Sequence, residues 1–174
     1  MSPHIQALID HYQFERLPIE GTFFKNTYRS AQQSPAGGPI ATAMMGLYVH
    51  EPESLSRFHR LTHDEVWHFY GGDPVELHLL FADGSAERIL LGPDPLQGHH
   101  LQYLVPAEVW QGACLTASGT YALFGCTMAP GFTGDCFEAG LAERLVEQYP
   151  EQREIIGKLG VQGQETQMPE GFEG

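Results

Sequence analysis

The sequence predicts an all-β core with short helices at its N- and C-terminal ends. Three observations carry that expectation. Short alternating or β-branched runs follow one another through the middle of the chain, turn signals separate them, and no helical pattern comes between them. The composition agrees, with 20 Gly and 12 Pro breaking a chain of 174 residues that is 42% hydrophobic. Strands spaced this closely form a sandwich or a small barrel; βαβ units would need helices between them.

Taken in order, Pro3 to Phe14 carries Ile5, Leu8, Ile9 and Tyr12 at helical spacing, and Leu17-Pro-Ile-Glu-Gly21 breaks it. Thr22 to Arg29 is aromatic and β-branched and reads as a strand. Ser30 to Pro39 is a Ser/Gln/Pro/Gly loop, and Ala41 to Val49 reads as a buried strand. Arg57 to Pro74 packs His59, His63, Glu65 and His68 into aromatic, β-favouring sequence ending in Gly-Gly-Asp-Pro. Val75 to Phe81, the Asp83-Gly84 turn and Glu87 to Leu91 spell a hairpin. Leu101 to Val105, Val109 to Leu115 and Tyr121 to Met128 complete roughly eight strands. Leu141, Leu145 and Val146 fit one helix, and Ile155, Ile156 and Leu159 fit a second after Pro150. The expected organisation is one domain over residues 1–160 and a flexible, Gly-rich tail over residues 161–174.

A net charge of −13 with only 9 Lys plus Arg argues against nucleic acid and against an acidic membrane surface, both of which need clustered cations. Cys114, Cys126 and Cys136 have no C-x-x-C spacing and read as reduced thiols, two of them in apolar strand-like stretches where Cys behaves as a small hydrophobe. The Met-Ser-Pro-His start has no basic region followed by an apolar run, and no stretch nears the ~18 apolar residues of a membrane span. The expectation is a cytoplasmic protein.

The chemistry concentrates in the His/Glu segment. On a regular strand His59, Leu61, His63, Glu65 and Trp67 share one face, and His68 falls on the other as a packing or interface residue. The segment resembles the first motif of the cupin superfamily, H-x-H followed by a Glu and a Gly: His59 takes the first His position, Leu61 the second, Glu65 the Glu and Gly72 the closing Gly. Pro106-Ala-Glu-Val-Trp-Gln111 lines up with the second motif, with Gln111 in place of its His. More closely, the chain resembles the DUF985 (Cupin_5) family. The matching stretches are Pro18 to Ser30, Phe58-His-Arg60, Asp64 to Tyr70, Gly72-Asp-Pro74, Val105-Pro106, Val109-Trp110, Gly125-Cys126, Ala129 to Phe132 and Phe137-Glu138. His63 departs from the family pattern. The resemblance implies a double-stranded β-helix, or jelly roll, that forms a homodimer, and it assigns no activity.

Three readings of the site follow. A divalent metal would use His59 and Glu65, with Gln111 as a weak amide ligand and His63 within reach only if its loop bends; Leu61 offers nothing. A structural reading makes His59 and Glu65 a buried hydrogen-bonded pair. The reading preferred here is a small-molecule pocket, sugar-like in its ligand, with Phe23, Tyr28, Trp67 and Phe69 as walls and His59, Glu65 and Gln111 as polar anchors. If it is catalytic, His59 and Glu65 share proton transfer as in an epimerase or isomerase of a sugar nucleotide or sugar phosphate, and Arg29 or Arg60 polarises a carbonyl. A non-catalytic binding cupin is the alternative. Enclosure would raise the pKa of Glu65 and pairing with His59 would lower it, so the sequence leaves the base open between them.

Overall fold

The structure, a computed structural model, describes residues 2–35 and 37–172. Residue 36 of the expected loop and residues 173–174 of the expected tail lie outside the described residues. Helix α1 (Pro3–Tyr12) opens the chain; Ser2 caps it by accepting from the Ile5 amide, Pro3 sits where no amide hydrogen is needed, and Gln13 ends it at a left-handed φ of 56°.

Eleven strands follow among the described residues: β1 (Glu15–Arg16), β2 (Phe23–Arg29), β3 (Thr42–Val49), β4 (Ser56–Leu61), β5 (Glu65–Gly72), β6 (Val75–Leu80), β7 (Ala86–Leu91), β8 (Gln102–Val105), β9 (Trp110–Leu115), β10 (Tyr121–Met128) and β11 (Phe137–Ala139). They form two antiparallel sheets, one of six strands in the order β1-β2-β3-β10-β5-β8 and one of five in the order β11-β4-β9-β6-β7. From β3 onward the chain keeps crossing between the sheets, which is the jelly-roll connection. Trp67, Phe124, Leu77, Leu79 and Ala113 from facing strands fill one end of the space between them. The all-β core with terminal helices therefore stands as expected.

The His/Glu segment is not one regular strand. Thr62 to Asp64 form a turn, so His59 on β4 belongs to the five-stranded sheet and Glu65 on β5 to the six-stranded sheet. Asp64 pins that turn by accepting from the Ala107 amide at 2.8 Å. The Asp83-Gly84 turn joins β6 to β7, with Gly84 at a φ of 89° that L side chains rarely adopt.

Helices α2 (Ala142–Gln148) and α3 (Arg153–Leu159), with Tyr149 from the connection between them, lay Leu145, Tyr149, Ile156 and Leu159 against Phe58, Leu80 and Cys114 of the five-stranded sheet. Beyond them, residues 161–172, expected as a flexible tail, fold back along the body. Val161 bonds to the Gly140 carbonyl at 2.9 Å, the Ala139 amide to the Thr166 carbonyl at 2.8 Å, and Val161 and Met168 are buried beside Leu61, Met128 and Phe137. Three widely spaced apolar residues, Val161, Met168 and Phe172, anchor this stretch, too sparse a pattern to read as periodicity.

Candidate functional site

The space between the sheets opens to solvent at the end away from Leu77 and Leu79 as a narrow cavity of about 60 Å³. β2 sends Phe24 and Asn26 into it. A bulge between Asn26 and Tyr28 breaks the alternation, and Tyr28 and Arg29 both reach the mouth. β4 contributes Ser56, His59 and Leu61; β5 contributes Glu65 and Trp67; β10 contributes Phe124, Cys126 and Met128. Phe132, Phe137 and, from the last turn of the chain, Phe172 complete an aromatic wall.

Glu65 is buried on the inner face. Its Oε2 accepts from Gln111 Nε2 at 2.8 Å, and Gln111 Oε1 accepts from Trp67 Nε1 at 2.8 Å, so one amide fixes both a carboxylate and an indole. Burial pushes the Glu65 carboxyl up to about 6, helped by the charge of Glu20 and opposed by His59 and the Gln111 bond. The contest left open in the sequence goes to desolvation. The neighbouring Cys126 thiol is raised well above its usual range by burial and by Glu65.

His59 lies 2.8 Å by Nδ1 from the Arg57 carbonyl. A carbonyl only accepts, so Nδ1 carries the proton and Nε2 is the acceptor of the neutral ring. The ring stacks on Phe137 at 5.3 Å and its Nδ1 is 3.9 Å from Glu20 Oε2. His59 and Glu65 are thus each held by other partners, and not by each other as in the structural reading of the site.

Glu20 is the residue that sequence reasoning missed. It is buried, lines the cavity, and accepts from Thr22 Oγ1 at 2.8 Å; Thr22 Oγ1 lies 2.9 Å from Ser56 Oγ, which in turn bonds the fully buried Tyr48 hydroxyl. With the carboxylate as terminal acceptor, donation runs Tyr48 to Ser56 to Thr22 to Glu20. A lone Glu in a Pro-Ile-Glu-Gly turn looks solvated in sequence. In the structure the residues on either side are in left-handed backbone, Gly21 at a φ of 89° and the β-branched Ile19 at a φ of 63°, which no sequence pattern announces.

Several expected site residues lie elsewhere. Phe23 faces the opposite side of β2, packed with Ile5 and Leu47 under the Arg16 guanidinium at 3.8 Å; its neighbour Phe24 takes the wall position. Phe69 packs into the filled end of the barrel, not the cavity. Gln111 converges with Glu65 but stands behind it as a support and does not line the cavity. Arg60 turns outward, with Nη2 2.6 Å from Glu138 and the guanidinium 4.7 Å from the Trp110 ring. Arg29 stays at the mouth, donating to the Phe132 carbonyl at 3.1 Å. His63 sits on the β4–β5 turn, and His68 lies on the outer face between Thr127 and Gln102.

The cavity residues do not fit the metal that the cupin resemblance brings to mind. Gln111 has its carbonyl oxygen on Trp67 and its amide on Glu65. Among the described residues, no three His, Cys or carboxylate donor atoms within the cavity come within 4.8 Å of one another, and the trio that does lies on another face.

A protein of known structure from Shewanella oneidensis is 30% identical, superposes with a TM-score of 0.83, and matches over 91% of this chain and 98% of its own. A hypothetical protein from Leishmania major is 29% identical, with a TM-score of 0.81 over 90% of this chain and 98% of its own. None of the curated proteins matches. The family model described as cupin superfamily (DUF985) matches residues 6–140, the stretch that carries His59, Glu65 and Gln111, and the chain belongs to that cupin family.

Proposed function

We propose that the cavity binds a small hydroxylated molecule of the sugar type and moves a proton on it, as an epimerase or isomerase does. The observation that carries this reading is Glu65, a buried carboxyl held by Gln111 whose pKa of about 6 lets it give and take a proton near neutrality. The aromatic lining, Phe132 and Phe172 included, offers apolar surface to a sugar ring, and Glu20 and Glu65 accept from hydroxyls. Arg29 is the only Arg or Lys among the described lining residues, so a phosphate or diphosphate belongs at the mouth and the reacting sugar inside. Glu65 as carboxylate takes the proton from carbon next to a carbonyl and, as the acid so formed, returns it, while His59 Nε2, an acceptor, holds a substrate hydroxyl.

A second reading has specific support. Arg60 faces outward and Arg29 holds the mouth, so no Arg or Lys among the described residues lines the inner cavity to stabilise an enolate. That favours a cupin that binds without turnover. A thermal-shift screen of sugar phosphates and sugar nucleotides, followed by solvent-deuterium incorporation into any ligand found, separates the two. Binding with exchange that Glu65→Gln abolishes supports catalysis, binding without exchange supports the second reading, and no stabilising ligand in the class overturns both.

We further propose a cytoplasmic homodimer. Its support is the three free, buried cysteines, which suit a reducing compartment, and a surface beside edge strand β8 on which Tyr70, Leu101 and Leu104 each stay more than half exposed. Light scattering at micromolar concentration giving a monomer mass would remove the dimer. No described helix is long and apolar enough to cross a membrane.

A further inference from the structure

On the face of the five-stranded sheet away from the cavity, β6 and β9 bring together three side chains that the barrel chemistry does not use. Glu76 and His78 are two residues apart on β6 and so share one face. Cys114 on β9 is the cross-strand partner of Glu76, and the partner of His78 is Gly112, where the Phe58 ring packs about 3.0 Å from the place a Cβ would take. One donor atom from each of Glu76, His78 and Cys114 lies within 4.8 Å of the others. Ligands around a tetrahedral zinc ion stand about 3.3–3.8 Å apart for bonds of about 2.0–2.3 Å, so rotamer changes of roughly an ångström would close the set.

The cluster already holds positive charge. Lys158, from the last turn of α3, places Nζ 3.1 Å from Cys114 Sγ, and Arg88 on β7 places Nη1 3.3 Å from Glu76 Oε1. His78 Nε2 is 3.4 Å from Glu76 Oε2. Lys158 is long, sits on a short helix and makes one side-chain hydrogen bond among the described residues, so its ammonium is the group that a metal ion would displace.

We propose that Glu76, His78 and Cys114 form a second site, outside the barrel, for a borderline-soft divalent cation of the zinc class. Thiolate, imidazole and carboxylate together select zinc or cobalt over magnesium or calcium, and three protein ligands leave a fourth position for water. Binding releases the Cys114 thiol proton to solvent and frees Lys158 from the sulfur. A buried cysteine facing a lysine on an otherwise apolar helix–sheet seam then has a function that packing alone does not supply.

Cobalt titration of the reduced, full-length protein tests the site, because a cysteine ligand shows as a thiolate-to-cobalt charge-transfer band. We expect one cobalt per chain with that band, displaced by zinc. Cys114→Ser should abolish the band, and His78→Asn should weaken binding by more than the ~10–100-fold that loss of an outer-shell partner costs. Lys158→Met, which removes the competing cation, should tighten binding at least tenfold. Glu65→Gln, inside the barrel, should leave the titration unchanged. Melting curves confirm that each variant folds, and Lys158→Met keeps the test alive if a ligand substitution unfolds the protein. The site is overturned if no charge-transfer band forms, if the band survives in Cys114→Ser, if Glu65→Gln removes it, or if Lys158→Met fails to tighten binding.

Discussion

Replacing Glu65 by glutamine isolates the energetic consequence of burying a carboxyl in the cavity. Its pKa of about 6 stands against the usual 4.5, and at 1.36 kcal/mol per pH unit the difference is worth about 2 kcal/mol. The sign follows from proton counting. Between pH 4.5 and 6 the folded protein holds the Glu65 proton and the unfolded chain has released it, so stability from this group is fullest below 4.5 and is lost as pH rises to 6. Glutamine keeps an acceptor for the Gln111 amide and does not titrate. The stability of Glu65→Gln relative to the parent should therefore rise by about 2 kcal/mol between pH 4.5 and 7, roughly 4–8 °C in Tm for a chain of this size. Denaturant unfolding of both proteins across that range measures it, since most other titrating groups cancel in the difference. A difference that stays flat with pH, or that falls, would refute the claim that desolvation dominates at Glu65. At pH 7 the same variant should lose any proton transfer, so that stability and activity move in opposite directions.

Other perturbations probe the supports. Gln111→Leu strands the Trp67 indole hydrogen and removes a donor from Glu65, and should cost about 1–3 kcal/mol for each buried group left unpaired, read by chemical denaturation. Gly46→Ala would set a methyl 2.2 Å from the Phe124 ring, which lies between a tilted Tyr48 and a stacked Trp67; overpacking of this kind should cost about 1–3 kcal/mol, and a neutral Tm would show that the ring can move. Deleting residues 161–174 uncovers Leu61, Met128 and Phe137 and removes Phe172 from the cavity wall; it should lower Tm and increase binding of a hydrophobic dye, which an untethered tail would not do.

Much of the architecture is legible in the residues themselves. Alternation with a period of two, the Asp83-Gly84 turn and the want of helical runs between strands specify an all-β core, because each strand must present one apolar face and each connection must be short. The motif match likewise points to the neighbourhood of His59, Glu65 and Gln111, which the structure brings to one end of the barrel. Shared strand parity is not what unites His59 and Glu65. The turn at Thr62 to Asp64 places them on facing sheets, so they meet across the cavity.

The finer assignments were decided only by tertiary structure. Phe23 and Phe24 are indistinguishable by type, and a displacement of one residue moves a side chain from the cavity to the packing under α1. Glu20 gains its role from Thr22, Ser56 and Tyr48, the last two supplied by other strands, and Phe172 reaches the cavity only after the chain has run past two helices and folded back. Local sequence determines which face a strand can bury, because that depends on neighbours two residues away. Which carboxylate is desolvated, which amide supports it and which ring closes the wall depend on residues brought close only by the closure of the two sheets, and no local pattern records that distance.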